Sequence, residues 1–153
     1  MDAIQGAVLK VKLAHIENWT EARRSVARRY DRLLAGGYWQ LPAPPPHSRH
    51  VYHMYAVRVP QRDRVRKTLD LAGIETGIHY PVLVHLQKAY ADLGYEAGDL
   101  PVSEAAADQF LSLPIYAEMQ PESVAAVADE LERVRFVDRL PPCDRLAMRS
   151  TAK

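Results

Sequence analysis

Between Leu41 and Arg49 the chain reads LPAPPPHSR, and neither a helix nor a central strand continues through such a run. Proline fixes φ and lacks the N–H that a helix or a sheet ladder needs, so this segment is extended linker or sheet-edge structure. It separates two different periodicities. On its N-terminal side, from Asp2 to about Leu34, Ile4, Val8, Val11, Trp19, Ala22, Val26, Tyr30 and Leu33 recur at helical spacing. Lys10, Glu17, Glu21, Arg24, Arg28 and Asp31 lie opposite them. Asn18 and Thr20 are positioned to interrupt the pattern near Trp19, which leaves one long helix or two helices meeting at a bend. Gly36 and Gly37 supply the stop.

Beyond the proline run the pattern changes. HVYHMYAVRV, His50 to Val59, is dense in β-branched and aromatic residues and reads as a strand. Strict alternation puts Val51, His53, Tyr55, Val57 and Val59 on one face, so the plain reading of His53 is a buried structural histidine. QRDRVRKTLDLAG, Gln61 to Gly73, is an amphipathic helix after Pro60, and Ile74 to Tyr80 is expected as a short second strand. Leu86 to Leu93 is a short helix candidate, and Ser103 is a plausible N-cap for a helix through Phe110. LSLPIY, Leu111 to Tyr116, alternates like a strand that Pro114 confines to an edge or an end. PESVAAVADELERVR starts a helix at Pro121 with Val124, Val127, Ala128, Leu131 and Val134 on one face. The order predicts an α+β fold, a small sheet with helices packed on one face, preceded by the long N-terminal helical segment. Residues 1–137 form the domain, with 1–34 as a helical connector, and 138–153 are expected to be a flexible tail.

The 153 residues suffice for one domain, and 20 Lys and Arg against 19 Asp and Glu leave a net charge of +1. No bulk attraction to nucleic acid or anionic membrane follows. The arginines at 23, 24, 28, 29 and 32 read as a solvated helix face whose charge complements the macrodipole. A single cysteine, Cys143, excludes an internal disulfide and fits a reducing compartment. Asp2, Lys10 and Lys12 break the apolar start, so it is neither signal peptide nor membrane span, and a cytoplasmic location is expected.

GIHYPVLVH, Gly77 to His85, places two histidines, a tyrosine and a proline in one irregular stretch. Such a stretch serves a metal, a proton transfer or a polar ligand. His50 and His53 point to opposite faces of a strand, so a metal site would be built from His53, His79 and His85 with Glu75 or Asp99. No HExxH and no paired cysteines call for one. The sequence also lacks a glycine-flanked serine elbow, GxGxxG and a Walker loop. Gly94 and Gly98 read as turn residues.

Taken in order, MDAIQGAVLKVKL, HVYHMYAVRVPQRD, GIETGIHYPVLVHLQKAYADLGYEAGDLPVSE and LSLPIY resemble the C-terminal part of the DegT/DnrJ/StrS family of pyridoxal-phosphate sugar aminotransferases. The likeness runs from Met1 to about Arg133. It implies a small domain like that of the fold-type I pyridoxal-phosphate transferases, which closes over a cofactor held in a larger preceding domain. It also implies a homodimer or association with such a cofactor domain, a nucleotide-linked keto sugar as substrate and glutamate as amino donor. The family motif HYPxPxHLQ appears here as HYPVLVHLQ, with Leu83 in place of the second proline.

None of Lys10, Lys12, Lys67, Lys88 and Lys153 stands in the family's Schiff-base context. No catalytic or cofactor-binding residue is therefore assigned, and pyridoxal phosphate is not expected to bond covalently to this chain, which by itself would be inactive. The resemblance places the loop from His79 to His85 beside the sugar or the cofactor edge. His85 is then the best polar contact, His79 and Tyr80 frame it, and His53 joins them as a substrate-binding candidate. The plainer alternative has His79 ending a strand and His85 capping the helix from Leu86. Two other functions stay open: a non-enzymatic interaction module using the apolar face of Ile4, Val8 and Trp19, and a histidine metal site.

Overall fold

The computed structural model describes residues 2–139. The first third is two helices, α1 (Ala3–Leu13) and α2 (Ile16–Leu33). Asp2 starts α1 through a capping box: its carboxylate accepts from the Ile4 N–H at 3.0 Å while its own N–H donates to Gln5 Oε1. The break falls at Ala14 and His15, ahead of the Trp19 region where polar residues suggested it. No residue of α1 is buried. In α2, by contrast, Val26, Ala27 and Tyr30 are buried on one stripe, and Leu34 just beyond it extends that stripe.

Two strands follow, β1 (Tyr55–Arg58) and β2 (Phe110–Leu113), paired antiparallel with Tyr55 opposite Leu113 and Val57 opposite Leu111. Directly opposed residues share a face, so these four apolar side chains form the inner surface, and Ala56, Arg58, Phe110 and Ser112 form the outer one. Single bridges extend the ladder on both sides, Gln40 to Arg58 and Gly77 to Ser112. The Gln40 bridge ends where the proline run begins, because Pro42 has no N–H to continue a ladder. The run is held down again at its far end, where Arg49 pairs with Glu17 at 2.7 Å and Glu21 at 2.9 Å, and Arg24 donates to the His50 carbonyl.

Helix α3 (Arg62–Leu71) and helix α5 (Pro121–Arg139) complete the core. One cluster joins α2, Tyr55, Val57, Val65, Leu69, Leu111 and Leu113 to Val124, Val127, Ala128, Leu131 and Val134 of α5. Tyr30 stacks on Tyr55 with centroids 4.9 Å apart and donates its hydroxyl to the Pro114 carbonyl at 3.0 Å. Tyr55 donates to Asp31 Oδ1 at 2.6 Å, so both buried phenols are satisfied. Burial raises both phenol pKa values above the ordinary tyrosine range. The mixed fold with helices over one face of a small sheet agrees with the sequence reading.

Several local expectations are corrected. The strand expected from His50 begins only at Tyr55, because Tyr52 adopts a left-handed conformation at φ 48° and its N–H bonds to His50 Nδ1 at 3.0 Å. That turn breaks the alternation: Tyr52 is buried and His53 is exposed. Ile74 to Tyr80 is not a strand but an extended segment with the one bridge at Gly77. Leu86 to Leu93 is replaced by two 3-10 turns, Val84–Leu86 and Lys88–Leu93, split by the extended backbone of Gln87. Helix α4 (Pro101–Gln109) starts at Pro101, and Ser103 is inside it rather than capping it. Proline needs no donor at the first helical position, and the carboxylate of Glu104 reaches back to the Leu100 N–H at 3.2 Å. The expected flexible tail at 138–153 is corrected at its first two residues. Asp138 and Arg139 continue α5, and residues 140–153 lie outside the described residues.

Leu131 is fully buried where α5 meets the cluster. Leu131→Ala leaves a cavity there and should cost about 2–5 kcal/mol of folding stability, read as a lower urea midpoint with an unchanged slope.

Candidate functional site

The extended segment after α3 runs along the free side of β2 and delivers His79 to the outer face of the sheet. Gly77 and Ser112 exchange two backbone bonds, Gly77 N–H to the Ser112 carbonyl at 3.0 Å and Ser112 N–H to the Gly77 carbonyl at 2.8 Å. Two residues on, His79 Nδ1 lies 3.0 Å from Ser112 Oγ. Its ring packs edge-on against Tyr80 with centroids 5.5 Å apart. Gly77 is needed for this fit, because a Cβ there would lie 2.6 Å from His79 Cε1.

Beside this segment opens a cleft of about 940 Å³, at the upper end of the usual range for small-ligand sites. His53, Glu75, Thr76, His79, Tyr80, Ser112 and Tyr116 contribute polar groups to its wall, with Met54, Ile115 and Met119 among the apolar ones. His79 and Tyr80 also border a smaller pocket of about 230 Å³ against α4. Three of the four residues singled out in the sequence, His53, His79 and Tyr80, therefore meet at one cleft.

His85 is placed elsewhere. It is buried inside the first 3-10 turn and lines neither cavity. Its Nε2 lies 3.2 Å from Glu104 Oε1, and its ring meets Tyr95 edge-on. It does not cap a helix starting at Leu86. The Glu104 carboxylate also accepts from the Gly98 N–H, with 2.9 Å to each oxygen, and from the Leu100 N–H. The Gly98 bond, then the Leu100 and His85 bonds, hold the Glu104 pKa below its ordinary value against the opposing effect of desolvation. The loop between His85 and α4 is thus closed on one carboxylate. Leu83, standing where the motif carries proline, sits at φ −64° and ψ 144°. Those are angles that proline itself adopts, so the backbone at this position suits either residue.

Among the described residues no group of three or more His, Cys, Asp or Glu is placed to hold a metal ion. The proposed set is divided instead: His85 engages Glu104, His79 engages Ser112, and the Asp99 carboxylate accepts from the Glu96 N–H at 2.8 Å. Sequence reasoning passed over Ser112 and Glu104 because each acts on a histidine 33 or 19 residues away. The one local signal is that Ser112 is polar between the inward Leu111 and Leu113.

Residues 1–132 match the DegT/DnrJ/EryC1/StrS aminotransferase family. The chain belongs to that family. It is 40% identical over 134 residues to a pleiotropic regulatory protein of Geobacillus stearothermophilus, covering 86% of this chain and 36% of that protein. A dTDP-3-amino-3,4,6-trideoxy-alpha-D-glucose transaminase of Streptomyces venezuelae is 41% identical over 131 residues, covering 84% of this chain and 34% of its own. The solved structure of S. venezuelae DesV in complex with a ketimine intermediate superposes with a TM-score of 0.85 at 38% identity, over 92% of this chain and 38% of that one. The chain thus spans about a third of the length of the relatives it matches. Among the described residues no helix is long and apolar enough to cross a membrane.

Family membership brings pyridoxal phosphate into question, and the cleft can be tested against it. Among the described residues no lysine or arginine lines the cleft, so they offer neither an amine for an imine nor a cationic cup for a phosphate. Lys10, Lys12, Lys67 and Lys88 are all exposed and away from it, and Lys153 lies outside the described residues. The residues present do not fit the cofactor by themselves.

The lowered Glu104 pKa has a signed consequence. The carboxylate's stabilising bonds are complete above its ordinary value of 4.5 and are lost as pH falls through the lower native value. The amide signals of Gly98 and Leu100 should therefore move together in acid, below pH 4.5. Glu104→Gln should abolish that titration while leaving signals of the β1–β2 pair in place.

Proposed function

We propose that residues 1–137 act as the small, C-terminal domain of a pyridoxal-phosphate-dependent aminotransferase for nucleotide-linked keto sugars, with glutamate as donor. Residues 1–34 connect it to a cofactor domain. The observation that carries this reading is the continuous family match over residues 1–132 to about a third of longer aminotransferases. The setting would be cytoplasmic amino-sugar and polysaccharide synthesis. Pyridoxal phosphate, held by the cofactor domain, supplies the electron sink for amino transfer. The present residues supply the opposing wall. His79, Tyr80 and His53 offer hydrogen bonds to sugar and phosphate oxygens, and the apolar side of the cleft excludes water. His85 serves that wall indirectly by tying its loop to Glu104. On this reading the chain alone does not transaminate, because its cleft presents no amine.

A specific observation also supports association with another body. Ile4, Val8, Val11 and Leu13 are at least half exposed on α1, an unusual concentration of apolar surface. It fits docking on a cofactor domain in a homodimer or with a companion chain. An interaction module that retains only this docking function is the second reading.

Incubation with pyridoxal phosphate followed by borohydride reduction separates these readings from an autonomous enzyme. We expect no stoichiometric lysine adduct by mass spectrometry on this chain alone. Adding a separately expressed cofactor domain from a relative should restore amino transfer from glutamate to a dTDP-linked keto sugar. Turnover by the chain alone would sink the proposal, and binding of that domain without turnover would favour the interaction module. In the restored system His79→Ala should lower kcat/KM roughly 3- to 10-fold, the effect of one lost hydrogen bond.

A further inference from the structure

The Ser112 hydroxyl has one partner among the described residues, His79 Nδ1 at 3.0 Å, and Ser112 is only 8% exposed. Among the described residues the hydroxyl meets no acceptor but Nδ1; with the hydroxyl as donor, Nδ1 accepts and the proton of the neutral imidazole sits on Nε2. No hydrogen bond to Nε2 occurs among the described residues, and His79 lies on the wall of the cleft.

The ring has little freedom to escape this arrangement. The Ser112 backbone is fixed by two bonds to Gly77, and the His79 ring lies over Gly77, where a Cβ would come within 2.6 Å of Cε1. The Tyr80 ring meets it edge-on. An exposed histidine bonded to Ser112 and set against Gly77 is restricted in orientation, which favours a ligand contact.

We propose that Ser112 is a positioning residue for His79, orienting the imidazole and setting its tautomer so that Nε2–H donates to an acceptor oxygen of the bound ligand, a phosphoryl or carbonyl oxygen. The identity of that oxygen rests on the aminotransferase reading above; the tautomer does not. A histidine left free to present Nδ1–H or a bare Nε2 would not select an acceptor oxygen in this way.

The test is imidazole nitrogen NMR on the 153-residue chain with labelled histidine, above neutral pH. Wild-type His79 should show a single tautomer, with Nδ1 unprotonated and hydrogen-bonded and Nε2 protonated. Ser112→Ala should lose the hydrogen-bonded Nδ1 signature, and Ser112→Thr, which keeps a hydroxyl, should retain it. Gly77→Ala should lose it by a different route, by pushing the ring off Ser112. A proton on Nδ1 in the wild type overturns the proposal without any variant. So does an Nδ1 signal in a folded Ser112→Ala protein, judged by intact β1–β2 amide signals, that matches the wild type. Either result stands whether or not the chain takes part in amino transfer, so the two readings fail separately.

Discussion

The two hydrogen bonds exchanged between Gly77 and Ser112 are the constraint on which the site depends. They turn an otherwise irregular segment into a fixed margin of the sheet, and they do so next to a strand whose inner face is locked into the core by Leu111 and Leu113. Because β-strand side chains alternate, the residue between those two leucines must point outward. The hydrophobic packing of one face thus determines the position of a polar group on the other. Ser112 receives its orientation from the core and transmits it to His79.

A second polar anchor works on a different principle. Glu104 stands in the first turn of α4, where negative charge is favoured by the helix dipole, and its carboxylate faces back over the preceding loop. Bonds from Gly98, Leu100 and His85 converge on it. Charged acceptors form stronger bonds than neutral ones, so a loop without regular structure acquires a defined path. The positive φ of Gly98, 102°, is part of that path, since a side chain there would be strained. The two anchors divide the motif between them, one holding its start on the sheet and the other its end on a helix.

Much of this was legible in the residues. The apolar periods of α2 and α5 and the stop of β2 at Pro114 follow from rules in which neighbours in sequence are neighbours in space. The failures are of two kinds, local and long-range. His53 was placed inward by alternation, and one left-handed residue, Tyr52, reversed it by a conformation that nothing in its side chain announces. The break between α1 and α2 falls at Ala14 and His15, where neither glycine nor proline marks a stop. His85 looked like the natural ligand contact because of its motif, yet its position depends on Glu104, which periodicity cannot connect to it. Site geometry was hidden wherever it rests on pairs distant in sequence.

Helix α1 shows what these residues do not account for by themselves. It has 11 residues and no buried side chain. Isolated helices of that length are marginal in water, where nucleation is costly and propensity alone offers little. Its capping box satisfies one end and Lys10 and Lys12 suit the dipole at the other, but such terms stabilise by about 1 kcal/mol each. An amphipathic helix in a protein draws most of its stability from packing its apolar side, and here that side faces outward from the cluster that organises every other long helix. Helix α1 is therefore the long helix that draws least stability from the rest of the described residues. The sheet, α2, α3 and α5 have a core of their own.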